Sequence, residues 1–270
     1  MQGTGNDYIF INCFREKVED PSALARKLSD RHFGIGSDGL ILIGPSEKAD
    51  FMMSVFNADG SQAQMCGTGI RCLGKYVFER GMTGSRQLRV ETLGGVREIY
   101  LNEKGGIVAS VTVDMGRPVL EPSEIPVDVA GDRAVSVPLL VSGVTYNVTC
   151  VSMGNPHVVV FLDEIDYLVL TQLGPRFERH EAFPRRTNAE FVRIISNDKM
   201  KMRVWERGVG ETLACGTGAC ASVVAGALNG YCGKKVAVTV KGGQLDVEWS
   251  DDGRVYLTGD AVQVFDGELQ

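Results

Sequence analysis

Residues 206–221 read ERGVGETLACGTGACA, and the run from Ala219 to Leu228 that follows is small and apolar, closed by Asn229-Gly230. The pattern predicts a helix starting just after Cys215 and ending on a glycine C-cap. The first N–H groups of a helix have no partner inside it, so the Gly216-Thr217-Gly218 loop can hold an anion. A thiol beside such a site is expected to have a lowered pKa. Alone, Cys215 reads more readily as a small core residue, as free cysteines often do.

The same device occurs twice. Cys66-Gly-Thr-Gly recurs 149 positions later at Cys215. Gly5-Asn6 and Gly154-Asn155 keep that spacing, as do Val55-Phe56 and Val204-Trp205, and Gly81 and Gly230; Gly94-Gly95 and Gly242-Gly243 miss it by one. A spacing shared this widely implies two homologous halves, each with one cysteine at the start of one helix. The expected boundaries are residues 1–116 with 261–270 for the Cys66 half and 117–260 for the Cys215 half, with an active site in the cleft between them. The closing segment is expected to add a strand to the first half.

Strand-length apolar runs are read at Tyr8–Asn12, 39–44, 51–57, within 87–116, and at 146–151, 157–162, 189–195, 201–205, 235–241, 245–249 and 255–257. Polar helices are read at 22–32 and 171–180, the second interrupted by Gly174-Pro175. The expected fold is α/β (α+β): two pseudo-symmetric domains, each a mostly antiparallel sheet wrapped around a central apolar helix. A helix apolar nearly all round has to be buried.

The chain has 270 residues, 44% of them hydrophobic, and a net charge of −6. That acidity argues against a nucleic-acid partner. No apolar run approaches the roughly 20 residues of a membrane span, and no signal peptide is read at the start. Seven cysteines without a disulfide framework point to the cytoplasm. With three histidines and no CxxC, no metal site is expected.

Two thiols at two helix starts suit inversion of a stereocentre next to a carboxylate. One thiolate removes the α-proton and the opposite thiol protonates the other face. The helix N–H groups stabilise the charge that moves onto the carboxylate. This scheme needs no pyridoxal phosphate and no other cofactor. Asn6, Asn57, Asn155 and Asn188 lie at loop junctions where they could read the rest of a small amino-acid substrate, or serve as turn residues. Glu206 and Arg207 could hold a second ammonium and carboxylate, or form an exposed strand end.

Three motifs carry a resemblance: Asn57-x-Asp-Gly-Ser…Met65-Cys66-Gly, Ser152-Met-Gly-Asn-Pro-His157, and Glu206 through Cys220. Together they make the whole chain resemble the diaminopimelate epimerases. The resemblance implies a cofactor-independent isomerase interconverting LL- and meso-diaminopimelate, on the route to lysine and peptidoglycan. It implies Cys66 and Cys215 as the acid/base pair, and backbone N–H groups of Gly67, Thr68, Gly216 and Thr217 on the reacting carboxylate. It assigns Asn6, Asn57, Asn155, Asn188, Glu206 and Arg207 to the distal amino-acid group. His157 and Glu206 would also tune the thiols. A homodimer is left open.

The chain departs from the family pattern in three places. It has Thr68 where Asn is usual and Gly39 where some members carry Gln, and a short first strand is expected. Two other readings are kept: a two-cysteine racemase acting on another amino acid such as proline or glutamate, and a thiol switch or small-anion binding protein without catalysis.

Overall fold

The computed structural model describes residues 1–129 and 131–269. The chain divides into two compact units, Met1–Asp114 with Thr258–Gln270, and Met115–Leu257.

The first unit opens with β1 (Gln2–Gly3), β2 (Asn6–Asn12), α1 (Pro21–Ser29), β3 (Gly39–Gly44), β4 (Phe51–Asn57) and β5 (Gln62–Ala63). It continues with α2 (Gly67–Glu79), β6 (Gln87–Thr92), β7 (Gly95–Lys104) and β8 (Ile107–Gly116). The second unit holds β9 (Val137–Val141), β10 (Val144–Ser152), β11 (Pro156–Phe161), α3 (Leu170–Glu178), β12 (Asn188–Ser196) and β13 (Lys199–Glu206). After these come β14 (Gly210–Glu211), α4 (Gly216–Leu228), β15 (Lys235–Val240), β16 (Gly243–Trp249) and β17 (Val255–Gly259).

The repeat is visible in the strand pairings. In the first unit β2 pairs β3 in parallel, β3 pairs β4 antiparallel, β4 pairs β5 antiparallel and β6 in parallel, and β6 pairs β7 antiparallel. In the second unit β11, β12, β13, β14, β15 and β16 repeat that series, sense for sense. Each parallel step is where the chain needs a crossover, and a helix supplies it.

The central helix of each unit is buried for the reason its composition gives. In α4 every residue from Gly218 to Gly226 is buried, against β10, β11, β12, β13, β15 and β16. In α2 Gly69 through Gly74 and Val77 are buried, and the helix packs on β1, β4 and β7. Both helices end on a glycine with positive φ, Gly81 at 67° and Gly230 at 70°, the conformation that lets glycine close a helix at no steric cost.

Three expectations shift. α1 stops at Ser29 rather than His32, because the Asp30 carboxylate accepts from the N–H groups of His32 and Phe33 and turns the chain. α3 runs through Gly174-Pro175 instead of breaking there. Gly174 lies against the Trp205 ring, where any Cβ would come within 2.3 Å. The buried Phe177 and Phe191 pack edge to face one turn on, ring centroids 5.4 Å apart, and such burial outweighs the lost helix hydrogen bond. Among its described residues the closing segment adds a bridge between Val262 and Gln2, not a strand. The first strand, β1, is two residues long.

Among the described residues no helix is long and apolar enough to cross a membrane. All seven cysteines are free.

Candidate active site

Each cysteine is the N-cap of its helix. Cys66 has φ −137° and ψ 117°, and its Sγ accepts from the Gly69 N–H at 3.3 Å. Cys215 has φ −133° and ψ 112°, and its Sγ accepts from the Gly218 N–H at 3.4 Å. The thiol does here what a serine or aspartate oxygen does at an ordinary N-cap. Gly67 and Thr68, and Gly216 and Thr217, form the first residues of the two helices, where N–H groups point out along the axis with the positive end of the helix dipole. Glycine is closely packed three residues after each cysteine. A Cβ at Gly69 would meet Ile41 Cδ1 at 2.4 Å, and one at Gly218 would meet Glu190 Oε1 at 2.7 Å.

Strand alternation brings the remaining groups to the cysteines. In the first unit Tyr8 pairs with Gly39 and Gly39 with Asn57, so the three stand in one row on one face of the sheet. A Cβ on Gly39 would lie 2.2 Å from the Phe56 carbonyl and 2.9 Å from the Tyr8 ring. A Gln there, as in some family members, does not fit this backbone. The Tyr8 hydroxyl reaches Cys66 and Asn6. Asn6 accepts from the Cys66 thiol at 3.6 Å through Oδ1 and donates to Asp38 through Nδ2 at 2.7 Å. Asn57 closes its own turn, its Nδ2 donating to the Ser61 hydroxyl at 2.9 Å. Thr68 accepts from the buried Arg71 guanidinium at 3.4 Å, so its side chain faces into the unit.

In the second unit His157 pairs with Asn188, and Ala189 with Trp205, which sets Glu206 beside Asn188. His157, Asn188 and Glu190 are buried. His157 Nδ1 is 2.7 Å from Glu190 Oε1, and its Nε2 is 2.9 Å from Asn155 Oδ1. Asn188 ties two loops together, donating to the Pro156 carbonyl at 2.8 Å and accepting from the Arg207 N–H at 2.9 Å. The Arg207 guanidinium is bound to the Arg185 carbonyl at 3.1 Å. Glu206 accepts from the Thr212 hydroxyl and is hydrogen-bonded to Cys215.

Neither thiol has the lowered pKa expected at a helix N-terminus. Burial pushes Cys66 up, opposed by the Gly69 N–H, the Tyr8 hydroxyl and the Arg71 charge. Burial pushes Cys215 up further, joined by the charges of Glu206 and Glu190, against the Thr217 hydroxyl and the Gly218 N–H. Desolvation of a thiolate outweighs one or two hydrogen bonds. Burial also raises Glu206, partly offset by its hydrogen bond from Thr212.

Tyr8, Arg71 and Glu190 were missed at the sequence level. Glu190 did carry a signal: a lone acid inside the apolar run 189–195, two positions from Asn188 and therefore on the same strand face. Among the described residues no cluster of three or more His, Cys, Asp or Glu is arranged to hold a metal ion.

Comparison with known proteins shows what the whole chain resembles. The diaminopimelate epimerase family model matches residues 1–121 and 149–264. The diaminopimelate epimerase of Acetivibrio thermocellus is 55% identical over 270 residues, covering 100% of this chain and 96% of the relative. That of Methanococcus maripaludis is 49% identical over 270 residues, covering 100% and 98%. Among solved structures, a methylitaconate-delta-isomerase superposes with a TM-score of 0.69 at 15% identity, covering 98% of this chain and 92% of that one. A hydroxyproline epimerase from Agrobacterium vitis, solved with trans-4-OH-L-proline, gives 0.64 at 14%, covering 96% and 86%. The two structures share the fold; the full-length identity to the named epimerases goes further, and the chain belongs to the diaminopimelate epimerase family.

Proposed function

We propose that the chain interconverts LL- and meso-diaminopimelate by a two-base mechanism in which Cys66 and Cys215 are the acid/base pair. The observation that carries this reading is the matched N-cap geometry of the two thiols, each accepting from the N–H three residues on. A thiolate so placed takes the α-proton, and the second thiol delivers its own proton to the opposite face of the same carbon. After one turnover the protonation states of the two cysteines are exchanged, and the reverse reaction resets them. The N–H groups at Gly67, Thr68, Gly216 and Thr217 hold the reacting carboxylate, where carbanion charge accumulates. The reading requires both thiols to reach one Cα.

Arg207 and the asparagines Asn6, Asn57, Asn155 and Asn188 are assigned to the distal amino-acid group, either in contact with it or, for Asn188, by fixing the loop that carries Arg207. Glu206 and His157 act at Cys215. The family is independent of pyridoxal phosphate, and the two-thiol scheme has no step for it. Seven free cysteines favour a cytoplasmic location, and a charge of −6 disfavours a nucleic-acid partner. Sedimentation would decide whether the chain forms a homodimer.

The test is α-proton exchange in D2O, followed by NMR on reduced protein without added cofactor. LL-diaminopimelate, glutamate and proline are offered in parallel. Deuterium and meso product with diaminopimelate alone is the expected result. Exchange with another amino acid instead would move the substrate, and no exchange at all would sink the reading.

A further inference from the structure

The repeat allows the surroundings of the two thiols to be compared position by position. At the 149-residue spacing Tyr8 corresponds to His157, Ile41 to Glu190, Asn57 to Glu206, and Arg71 to Cys220. One of these pairs occupies equivalent space at the two N-caps: Ile41 Cδ1 fills the space beside Gly69 that Glu190 Oε1 fills beside Gly218. The backbones repeat and the charges do not. Cys66 meets the Tyr8 hydroxyl and Asn6 from β2, and Arg71 and Cys72 from its own helix. Cys215 meets Glu206 from β13, Glu190 from β12 with His157 from β11 behind it, and Thr217 from its own helix. One thiol faces a cation, a hydroxyl donor and the Asn6 carbonyl oxygen. The other faces two carboxylates and the Thr217 hydroxyl.

We infer that the two thiols ionise in a fixed order, Cys66 before Cys215, and that Tyr8 and Glu190 are the positioning residues that set it. Tyr8 donates to the sulfur of Cys66 and favours its thiolate. Glu190 is fully buried, its Oε1 on His157 and its Oε2 without a hydrogen-bond partner among the described residues. A carboxylate so poorly compensated opposes a second negative charge nearby. Burial raises both thiols, and at Cys215 the charges of Glu206 and Glu190 add to the rise. The Cys66 side is therefore the first to supply a base, and the Cys215 side the last to give up its proton. This assignment takes its catalytic meaning from the proposed two-base reaction, but it concerns ionisation alone.

The experiment is site-resolved alkylation. Full-length reduced protein is treated with iodoacetamide across a pH series, and peptides containing Cys66 and Cys215 are followed by mass spectrometry. Far-ultraviolet circular dichroism defines the pH range over which each variant stays folded. The pH midpoint of the rate reports ionisation and is separate from access, which scales the rate. Cys66 is expected to have the lower midpoint. Tyr8→Phe should raise the Cys66 midpoint by about one pH unit, slowing its alkylation about tenfold at neutral pH, and leave Cys215 in place. Glu190→Gln should lower the Cys215 midpoint by about as much and leave Cys66 in place, while Glu190→Asp, which keeps the charge, should hold it. Coincident midpoints, or Cys215 first, would overturn the order. An unmoved midpoint in a folded Tyr8→Phe or Glu190→Gln protein would overturn that residue's role. No outcome depends on diaminopimelate being the substrate, so a failed exchange assay and a failed ordering are read apart.

Discussion

Asn188 and Arg207 are joined side chain to backbone: Asn188 Oδ1 accepts from the Arg207 N–H at 2.9 Å while Asn188 Nδ2 donates to the Pro156 carbonyl at 2.8 Å. One buried amide thus holds the loop before His157 and the loop after Glu206 in fixed relation. Asn188→Ala strands two backbone groups. It should destabilise the protein by about 2 kcal/mol and raise KM for diaminopimelate about tenfold with a smaller change in kcat. Urea unfolding and steady-state kinetics check this. An unchanged KM would remove Asn188 from the binding machinery.

A variant at Arg207 distinguishes a substrate with two amino-acid groups from one with a single group. Arg207→Ala should cost about 100-fold in kcat/KM for diaminopimelate, the range of a lost charge-assisted pair. Arg207→Lys should recover only part of it, because an ammonium does not present two parallel donors. Full turnover in the alanine variant would point to a smaller amino acid.

Three glycines are held by packing. Gly39→Ala drives a Cβ to 2.2 Å from the Phe56 carbonyl, a backbone atom that cannot swing aside. It should cost more than Gly69→Ala or Gly218→Ala, where the obstacles are the ends of the Ile41 and Glu190 side chains. The two milder variants are each expected to lose about 1–3 kcal/mol. Thermal unfolding gives the order, and equal losses in all three would contradict the contacts.

Two buried thiols outside the proposed acid/base pair make stability depend on pH. Burial pushes Cys72 and Cys150 each from the ordinary 9.0 to about 12. Both stay protonated in the folded protein after they have ionised in the unfolded chain. Their stabilising contribution is whole below pH 9 and is lost as pH rises toward 12. By pH 10 the loss is about 1.4 kcal/mol for each. Replacing both by alanine should flatten the fall in unfolding free energy between pH 8 and pH 10, whatever it does to stability at pH 7. An equally steep fall would assign the dependence to other groups.

The repeat was legible in the sequence because it rests on residues with few substitutes: glycines at helix ends and tight approaches, and cysteines at two N-caps. The apolar central helices were legible for a related reason, since α4 has no polar face to put outside. Short pieces were not. β5 and β14 have two residues each, too few for any periodicity. Local propensity alone breaks α3 at Gly174-Pro175; the Trp205 ring that Gly174 packs against is distant in sequence and does not show there. The thiols were expected to be acidic because a helix N-terminus shows in sequence and burial does not. Tyr8 and Glu190 escaped because each looks like an ordinary strand residue until strand register puts it at a cysteine.

The central claim is that Cys66 and Cys215 act on the same α-carbon from opposite sides. The most direct test is NMR of α-deuterium incorporation into LL- and into meso-diaminopimelate, with the unmodified protein, Cys66→Ala and Cys215→Ala, each shown to be folded. Loss of LL-to-meso interconversion in both variants, with full conversion in the unmodified protein, is the predicted result. Interconversion that survives in either single variant would mean that one thiol suffices, and would contradict the account.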